Sequence, residues 1–139
     1  MPNHYHFILQ QLSPNGITKF VSNLQNSYTR YFNTKYTRIG PLWQGPFKAI
    51  IIESNNQLLH LSRYIHLNPY TNSVVKNLED LTNYPWSSLL EYMSSTTKPI
   101  CQAYAIMSYF KNKDIYLDFV LNTADYQKEL ALLKHLAID

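Results

Sequence analysis

The sequence has only one cysteine among its 139 residues, Cys101, which excludes an internal disulfide framework and a cysteine-based zinc cluster. We expect Cys101 to be a small buried apolar residue. There is also no run of 18 apolar residues, so no segment is predicted to span a membrane. The amino terminus shows no basic stretch followed by an apolar one, and therefore no secretory signal. The default expectation is a cytoplasmic protein.

Aromatic residues are abundant, with 12 tyrosines and 2 tryptophans, and such rings fill a core or stack on unpaired bases. Charge is uneven along the chain. Residues 1–70 carry six basic side chains against one acid, whereas residues 71–139 carry six lysines against eight acids. This distribution fits a polyanion-binding site on the first half, although an unevenly charged solvated surface explains it equally well.

Residue periodicity predicts a strand, a helix and a second strand in the first half. Residues 4–12 form an aromatic and β-branched run that the turn cluster at 13–16 closes, which is typical of a strand. From Ile17 onward, apolar residues recur every three or four positions, as on one face of a helix. That stripe comprises Ile17, Phe20, Val21, Leu24, Tyr28 and Tyr31. A loop rich in Gly-Pro pairs is predicted over 33–46, and a strand over 47–52.

The second half is predicted to be helical. Ser54 offers an N-cap for a helix that runs to about Asn68, where Pro69 ends it. The buried stripe of this helix is predicted to consist of Leu58, Leu61 and Ile65.

Further helices are predicted towards the carboxyl terminus. One opens at 84–88 and runs through Met93, a polar linker follows at 94–99, and two or three amphipathic helices occupy 101–136. Their apolar positions include Leu117, Val120, Leu121, Leu130, Leu133 and Leu136.

His4 and His6 are candidate metal ligands. On a strand, alternate side chains point to one face, so these two imidazoles would project side by side. Two neutral imidazoles on one face can bind a divalent cation. An ordinary surface strand with two histidines would show the same pattern.

Tyr64 is the candidate nucleophile. His60, Tyr64 and Asn68 are spaced at i, i+4 and i+8 and share one face of the predicted helix. The alternative is structural: Tyr64 packs with its hydroxyl satisfied, and Asn68 caps the helix. Together with the histidines, however, an amide oxygen could hold a metal while the phenol attacks a phosphodiester in line.

Four sequence blocks in order resemble those of the HUH single-tyrosine transposases, most closely the REP-associated tyrosine transposases. The blocks read MPNHYH at 1–6, GPLWQG with FKA at 40–49, RYIHLNP at 63–69 and YPWSS at 84–88. They cover most of residues 1–93, whereas residues 100–139 resemble the family's variable carboxyl-terminal helices more weakly.

The resemblance implies roles for particular residues. His4, His6 and Asn68 would bind Mg²⁺ or Mn²⁺, and Tyr64 would form a 5′-phosphotyrosine with single-stranded or hairpin DNA. His66 belongs to the same block but points elsewhere on the helix, so we expect a structural or DNA-contacting role. His60 is not a family ligand, and it would contact phosphate or simply be exposed.

Basic and aromatic residues are expected to bind the DNA. Lys35, Arg38, Lys48 and Arg63 would neutralise phosphates, while Trp43 and Tyr36 would stack on bases. For Trp43, an equal alternative is a structural role, in which the ring fills the core beneath its loop. Trp86 follows Pro85 at a helix start and is expected in the core.

The implied fold is α+β, a ferredoxin-like antiparallel sheet with helices on one or both faces, followed by carboxyl-terminal helices. We expect a catalytic domain at 1–93 and a helical extension at 94–139. The family's segment before the HUH strand is not seen, so the sheet is expected to be truncated, and a homodimer is one way to complete it. The functional hypotheses are therefore an active DNA transesterase or an inactive derivative that binds hairpins without cleaving them.

Overall fold

The computed structural model describes residues 3–94, 98–125 and 127, and the regular elements within these ranges are helical. They are α1 (Gly16–Lys35), α2 (Asn55–Thr71), a 3₁₀ helix (Leu78–Asn83), α3 (Leu89–Met93), α4 (Tyr104–Met107) and α5 (Lys113–Leu121). None of the helices in the described ranges is long and apolar enough to cross a membrane. The expected helix with Leu130, Leu133 and Leu136 lies outside the described residues, as do residues 95–97 of the expected linker.

The predicted ferredoxin-like α+β sheet is wrong, because residues 3–94, 98–125 and 127 contain no β-strand. The two expected strands, 4–12 and 47–52, are irregular segments. Aromatic and β-branched residues suit a pleated surface, but a strand also needs a neighbouring strand for its backbone hydrogen bonds. No such neighbour occurs in the described part of the chain. Ile50 and Ile51 are consequently 86% and 81% exposed.

The chain divides into two compact units. Residues 7–51 form one, which we call the α1 unit; the described residues among 1–6 and 52–139 form the other, which we call the α2 unit. The predicted division at residues 93 and 94 concerns function rather than packing, and it stays a prediction.

Helix α1 confirms the periodicity that begins at Ile17, although most of its apolar stripe is exposed. Val21 is the buried hydrophobic residue of this helix, whereas Phe20, Leu24, Tyr28 and Tyr31 are exposed. The half-buried Trp43 packs on the helix: its indole Nε1 donates to the Gln25 carbonyl at 3.2 Å, and its ring centroid lies 5.9 Å from that of Tyr28. The contact favours the structural role of Trp43, in which the ring packs beneath its loop.

Helix α2 begins as predicted but ends later. The Ser54 hydroxyl accepts from the Gln57 backbone N–H at 3.2 Å, which confirms the N-cap. Pro69 does not end the helix, which continues to Thr71 with Asn72 as C-cap. A proline in the last turn removes only one intrahelical donor, and the Pro69 carbonyl accepts from Val74 and Val75, both at 2.9 Å.

The buried face of α2 also differs from the prediction. Leu58, Leu61 and Ile65 are only half-buried, while Ser62 and His66 are buried. A prediction from periodicity takes the apolar residues to be the buried ones. A polar residue can also be buried, because satisfied hydrogen bonds offset the free-energy cost of removing it from water.

The helices of the α2 unit pack around one hydrophobic core. Helix α2 packs against α5, α4 and the 3₁₀ helix, and α3 packs against α5 and the 3₁₀ helix. The hydrophobic core of this unit consists of Leu67, Tyr70, Val75, Leu81, Leu89, Tyr92, Ile106, Tyr116, Val120 and Ala124.

Two expectations for single residues need correction. Trp86 is 81% exposed rather than part of the core. Helix α3 begins only at Leu89, whose side chain is buried instead. Cys101 is half-buried rather than fully buried, and burial, followed by the negative charge of Glu91, raises the pKa of its thiol.

Candidate active site

His4 and His6 lie side by side although they are not on a strand. Their ring centroids are 5.0 Å apart and the ring planes meet at 77°. The His4 ring Nδ1 lies 2.7 Å from the Asn3 side-chain oxygen and donates to it. That bond leaves the lone pair of His4 on Nε2, which is the arrangement in which a ligating histidine is usually held.

Tyr64 on α2 contacts the second of these histidines. The centroids of His6 and Tyr64 are 6.0 Å apart, and the rings meet edge to face at 72°. Tyr64 remains 47% exposed. The structure therefore brings together three of the four residues expected to carry the chemistry, and it leaves the phenol open to a substrate.

The protonation state of His6 suits metal binding. Burial of the ring, followed by the electrostatic effect of the neighbouring His4, lowers the pKa of His6 below its ordinary value. A depressed pKa favours the neutral imidazole near pH 7, and only the neutral ring offers a lone pair to a cation.

Asn68 lies one turn beyond Tyr64 on α2 and is only 2% exposed. Its side-chain oxygen accepts from the Asn72 amide at 2.8 Å, and its backbone carbonyl accepts from the Asn72 backbone N–H at 3.1 Å. Asn68 is thus inside the helix, not its cap. Its role as a metal ligand stays a prediction.

The donor set is compatible with a divalent cation. Two neutral imidazoles supply nitrogen ligands, and an amide oxygen has a second lone pair even when one is engaged, as at Asn68. Among the described residues there is no group of three or more His, Cys, Asp and Glu side chains that could hold a metal. A cation at His4 and His6 therefore needs oxygen ligands from Asn68, water or a phosphate.

The basic residues expected to bind DNA occur in both units. In the α1 unit, the Lys35 Nζ donates to the Tyr31 hydroxyl at 3.2 Å and lies 5.6 and 5.5 Å from the ring centroids of Tyr31 and Tyr36. The Tyr31 hydroxyl is the main cause of a raised pKa for Lys35, which therefore stays charged. Arg38 donates to the Asn33 side chain at 3.1 Å and to the Pro41 carbonyl at 3.2 Å. Lys48 is exposed.

Arg63 is placed differently, in the α2 unit. Its guanidinium donates to the His60 Nδ1 at 2.7 Å and stacks over the Phe119 ring at 4.7 Å from the centroid. His60 is exposed, and its ring accepts this hydrogen bond from Arg63. Their i, i+3 spacing was a usable signal for this pair.

His66 is buried, at 2% exposure, which favours the structural role over the DNA contact, the two alternatives expected for it. Its Nδ1 lies 2.7 Å from the Tyr116 hydroxyl, and its Nε2 lies 2.8 Å from the Ser88 hydroxyl. Burial lowers the pKa of His66 to about 4. No local pattern points to Tyr116, which lies 50 positions away and beside an apolar stripe.

Residues 1–68 match a family model described as IS200-like transposase. The matched range is slightly less than half of the chain, and it contains His4, His6, Tyr64 and Asn68. It confirms the resemblance to single-tyrosine transposases at the level of the family. No curated protein and no solved structure gives a significant match.

Proposed function

We propose that the chain cleaves and rejoins single-stranded or hairpin DNA in a reaction that depends on Mg²⁺ or Mn²⁺, because its residues 1–68 match the IS200-like transposase family model. Tyr64 is the proposed nucleophile. The observation that carries this proposal is the contact of the exposed Tyr64 ring with His6, which itself lies beside His4. A family of transposases also implies DNA as the partner.

The proposed step is a transesterification. The Tyr64 oxygen loses its proton and attacks the phosphorus, the bond to the 3′ oxygen breaks, and that oxygen leaves as a 3′ hydroxyl after taking up a proton. The 5′ end remains attached to the protein as a phosphotyrosine. A DNA 3′ hydroxyl can reverse the step, because one phosphodiester replaces another and no hydrolysis occurs. A divalent cation held by His4 and His6, with Asn68, would polarise the phosphate.

The α1 unit is the proposed main DNA-binding surface. Residues 7–51 include Lys19, Arg30, Lys35, Arg38 and Lys48 and no aspartate or glutamate. Lys35 lies between the rings of Tyr31 and Tyr36, which are 57% and 56% exposed. A cation among exposed rings suits unpaired nucleotides, since the rings stack on bases and the ammonium pairs with phosphate. Trp43 would then shape this surface by packing on α1, and Arg63 would add a phosphate contact in the α2 unit.

An inactive derivative is the second candidate, and one observation favours it. The Asn68 oxygen is buried and already accepts from Asn72. If burial and the Asn72 bond keep the Asn68 oxygen from turning its second lone pair towards the cation, only the two imidazoles remain as protein ligands and the cation binds more weakly. The chain would then bind hairpin DNA without cutting it.

One experiment separates the two candidates. Labelled hairpin DNA is incubated with the chain in Mn²⁺ or EDTA, and covalent adduct is read on a denaturing gel. The transesterase gives adduct with the metal and none with EDTA or in Tyr64→Phe. Tyr109→Phe is the matched control, since Tyr109 is 49% exposed and lies outside the site. Adduct in Tyr64→Phe refutes the proposed nucleophile, and metal-independent retention on a native gel without adduct identifies the inactive derivative.

A further inference from the structure

We propose that His66 is a positioning residue for Tyr64, and that Tyr116 on α5 and Ser88 before α3 hold it in place. The inference rests on the proposed function. It assigns a role to helices beyond residue 68, which the family match does not include. These helices would fix the rotation of α2 and thereby the direction in which the nucleophile points.

The hydrogen bonds around His66 form one continuous network, in which each group donates to the next. The Tyr116 hydroxyl donates to the Ser62 hydroxyl at 3.3 Å, and Ser62 donates to the Leu59 carbonyl at 2.8 Å. With the one Tyr116 hydrogen directed to Ser62, the His66 Nδ1–H donates to the Tyr116 oxygen, at 2.7 Å. The Nε2 of His66 then accepts from the Ser88 hydroxyl, at 2.8 Å. A neutral His66 satisfies every member of this network.

The network and the nucleophile lie on opposite sides of α2. Successive residues of an α-helix are about 100° apart, so two positions separate side chains by roughly 200°. Ser62 and His66 each lie two positions from Tyr64 and are both buried, at 2% exposure. Anchoring these two residues therefore directs Tyr64 towards the open side, where it contacts His6.

Directional bonds fix this rotation more strictly than apolar packing would. An apolar helix face can turn or slide by a fraction of an ångström with little change in buried area. In a buried polar network, the same movement leaves donors or acceptors unpaired, and an unpaired buried polar group is strongly unfavourable.

Aromatic packing closes the site around the imidazole. The ring centroid of His66 lies 4.8 Å from that of Tyr92 on α3, edge to face at 83°, and 5.9 Å from that of Tyr116. Tyr92 and Tyr116 are 5.4 Å apart. Residues from α2, α3 and α5 thus meet at one buried histidine, which makes it the junction between the catalytic helix and the later helices.

The test compares two variants, each of which removes the hydroxyl of one buried tyrosine. Tyr116→Phe removes the oxygen that bonds His66 and Ser62. Tyr70→Phe is the matched control: Tyr70 is one turn beyond His66 on α2, and its hydroxyl donates to Asp125 at 3.3 Å, outside the network. If His66 positions Tyr64, Tyr116→Phe slows single-turnover adduct formation roughly tenfold or more, with hairpin affinity unchanged, whereas Tyr70→Phe retains the rate. Equal rates for the two variants, after both are checked by thermal unfolding, would overturn the proposal.

Two further variants ask which bond matters. The Asn amide of His66→Asn can replace Nδ1 and retain the Tyr116 bond, whereas the longer amide of His66→Gln can replace Nε2 and retain the Ser88 bond. Partial rescue by either, relative to His66→Ala, supports a role for bonding geometry. Identical rates in all three variants contradict it.

A readout without catalysis keeps this test independent of the proposed function. A nitroxide is placed at residue 64 with Tyr64→Cys in a Cys101→Ala background, and its mobility is measured by electron paramagnetic resonance. Tyr116→Phe should increase the mobility and Tyr70→Phe should not. An unchanged spectrum in Tyr116→Phe refutes the positioning role. Absence of adduct in the unsubstituted chain refutes only the transesterase.

Discussion

The imidazole of His6 meets the ring of Tyr64 edge to face, with centroids 6.0 Å apart and the planes at 72°. This contact joins a candidate metal ligand to a candidate nucleophile that lies 58 positions later in the sequence. It exists although the segment around His6 is not a strand. The side-by-side arrangement of His4 and His6 beside Tyr64 is therefore independent of the sheet that the resemblance implied.

Replacing His6 with alanine should abolish metal-dependent cleavage. Replacing a residue that only hydrogen-bonds a metal ligand typically weakens metal binding by about 10–100-fold. Removing one of the two imidazole ligands themselves should therefore weaken cation binding by about a hundredfold or more. Mn²⁺ affinity is measured by titration calorimetry and adduct yield on a denaturing gel. His60→Ala is the control, because His60 bonds Arg63 rather than the site. An equal loss of Mn²⁺ affinity in both variants would show that His6 is not a specific ligand.

The free energy of unfolding should fall between pH 6.5 and about 4. His66 has a folded-state pKa lowered to about 4 from an ordinary 6.5, since burial disfavours its charged form. In that interval the unfolded chain takes up a proton that the folded chain does not, so acid favours unfolding. The stabilisation that comes from the neutral His66 is present in full above pH 6.5 and is lost progressively as pH falls to about 4. It amounts to about 3 kcal/mol.

Urea unfolding at a series of pH values checks this expectation. His66→Gln removes the titrating group, so the difference between its stability and that of the unsubstituted chain should shrink as pH falls from 6.5 to 4. A difference that stays constant over this interval would count against a neutral buried His66.

Lys35→Ala should weaken hairpin binding mainly at low salt. Each neutralised phosphate releases counterions, so loss of one contact reduces the slope of log affinity against log salt concentration by about 1. Fluorescence anisotropy with labelled hairpin DNA at several salt concentrations measures the slope. Lys76→Ala is the control, since Lys76 is exposed in the half that carries more acids than bases. The DNA-binding assignment of Lys35 fails if both variants keep the same slope.

Leu67→Ala should destabilise the α2 unit by about 2–5 kcal/mol, because it leaves a cavity in a close-packed core. Leu67 is fully buried on the face of α2 that packs against other helices. Ile100→Ala should change stability by no more than about 0.5 kcal/mol, since Ile100 is 91% exposed. Urea unfolding compares the two, and similar losses would mean that Leu67 is not part of the core.

Local patterns predicted the helices better than they predicted the fold. The three- and four-residue spacing from Ile17 and the cap at Ser54 are short-range signals, and both appear as α1 and the start of α2. The strands were not predictable in this way, because pairing depends on a partner that a single segment does not specify. The pairing of His66 with Tyr116 escaped detection for a related reason: apolar spacing does not reveal which buried polar groups will satisfy each other.

The candidate site was predictable to the extent that it repeats a family's blocks. The structure brings His4, His6 and Tyr64 together, as the resemblance implied. The burial of Asn68 and its bond to Asn72 were not predictable, since they follow from α2 continuing past Pro69.

The 50-residue separation of His66 from Tyr116 has a consequence for shortened forms of this protein. A chain that stops before Tyr116 keeps the residues proposed to bind DNA and to attack it, yet loses the group that anchors the catalytic helix. Such a product also loses the buried Tyr116 and Val120 of α5, so we expect its α2 unit to lose stability as well as the anchor of the catalytic helix. Any hairpin binding that it retains would come from the basic residues of the α1 unit, and it would separate DNA binding from cleavage.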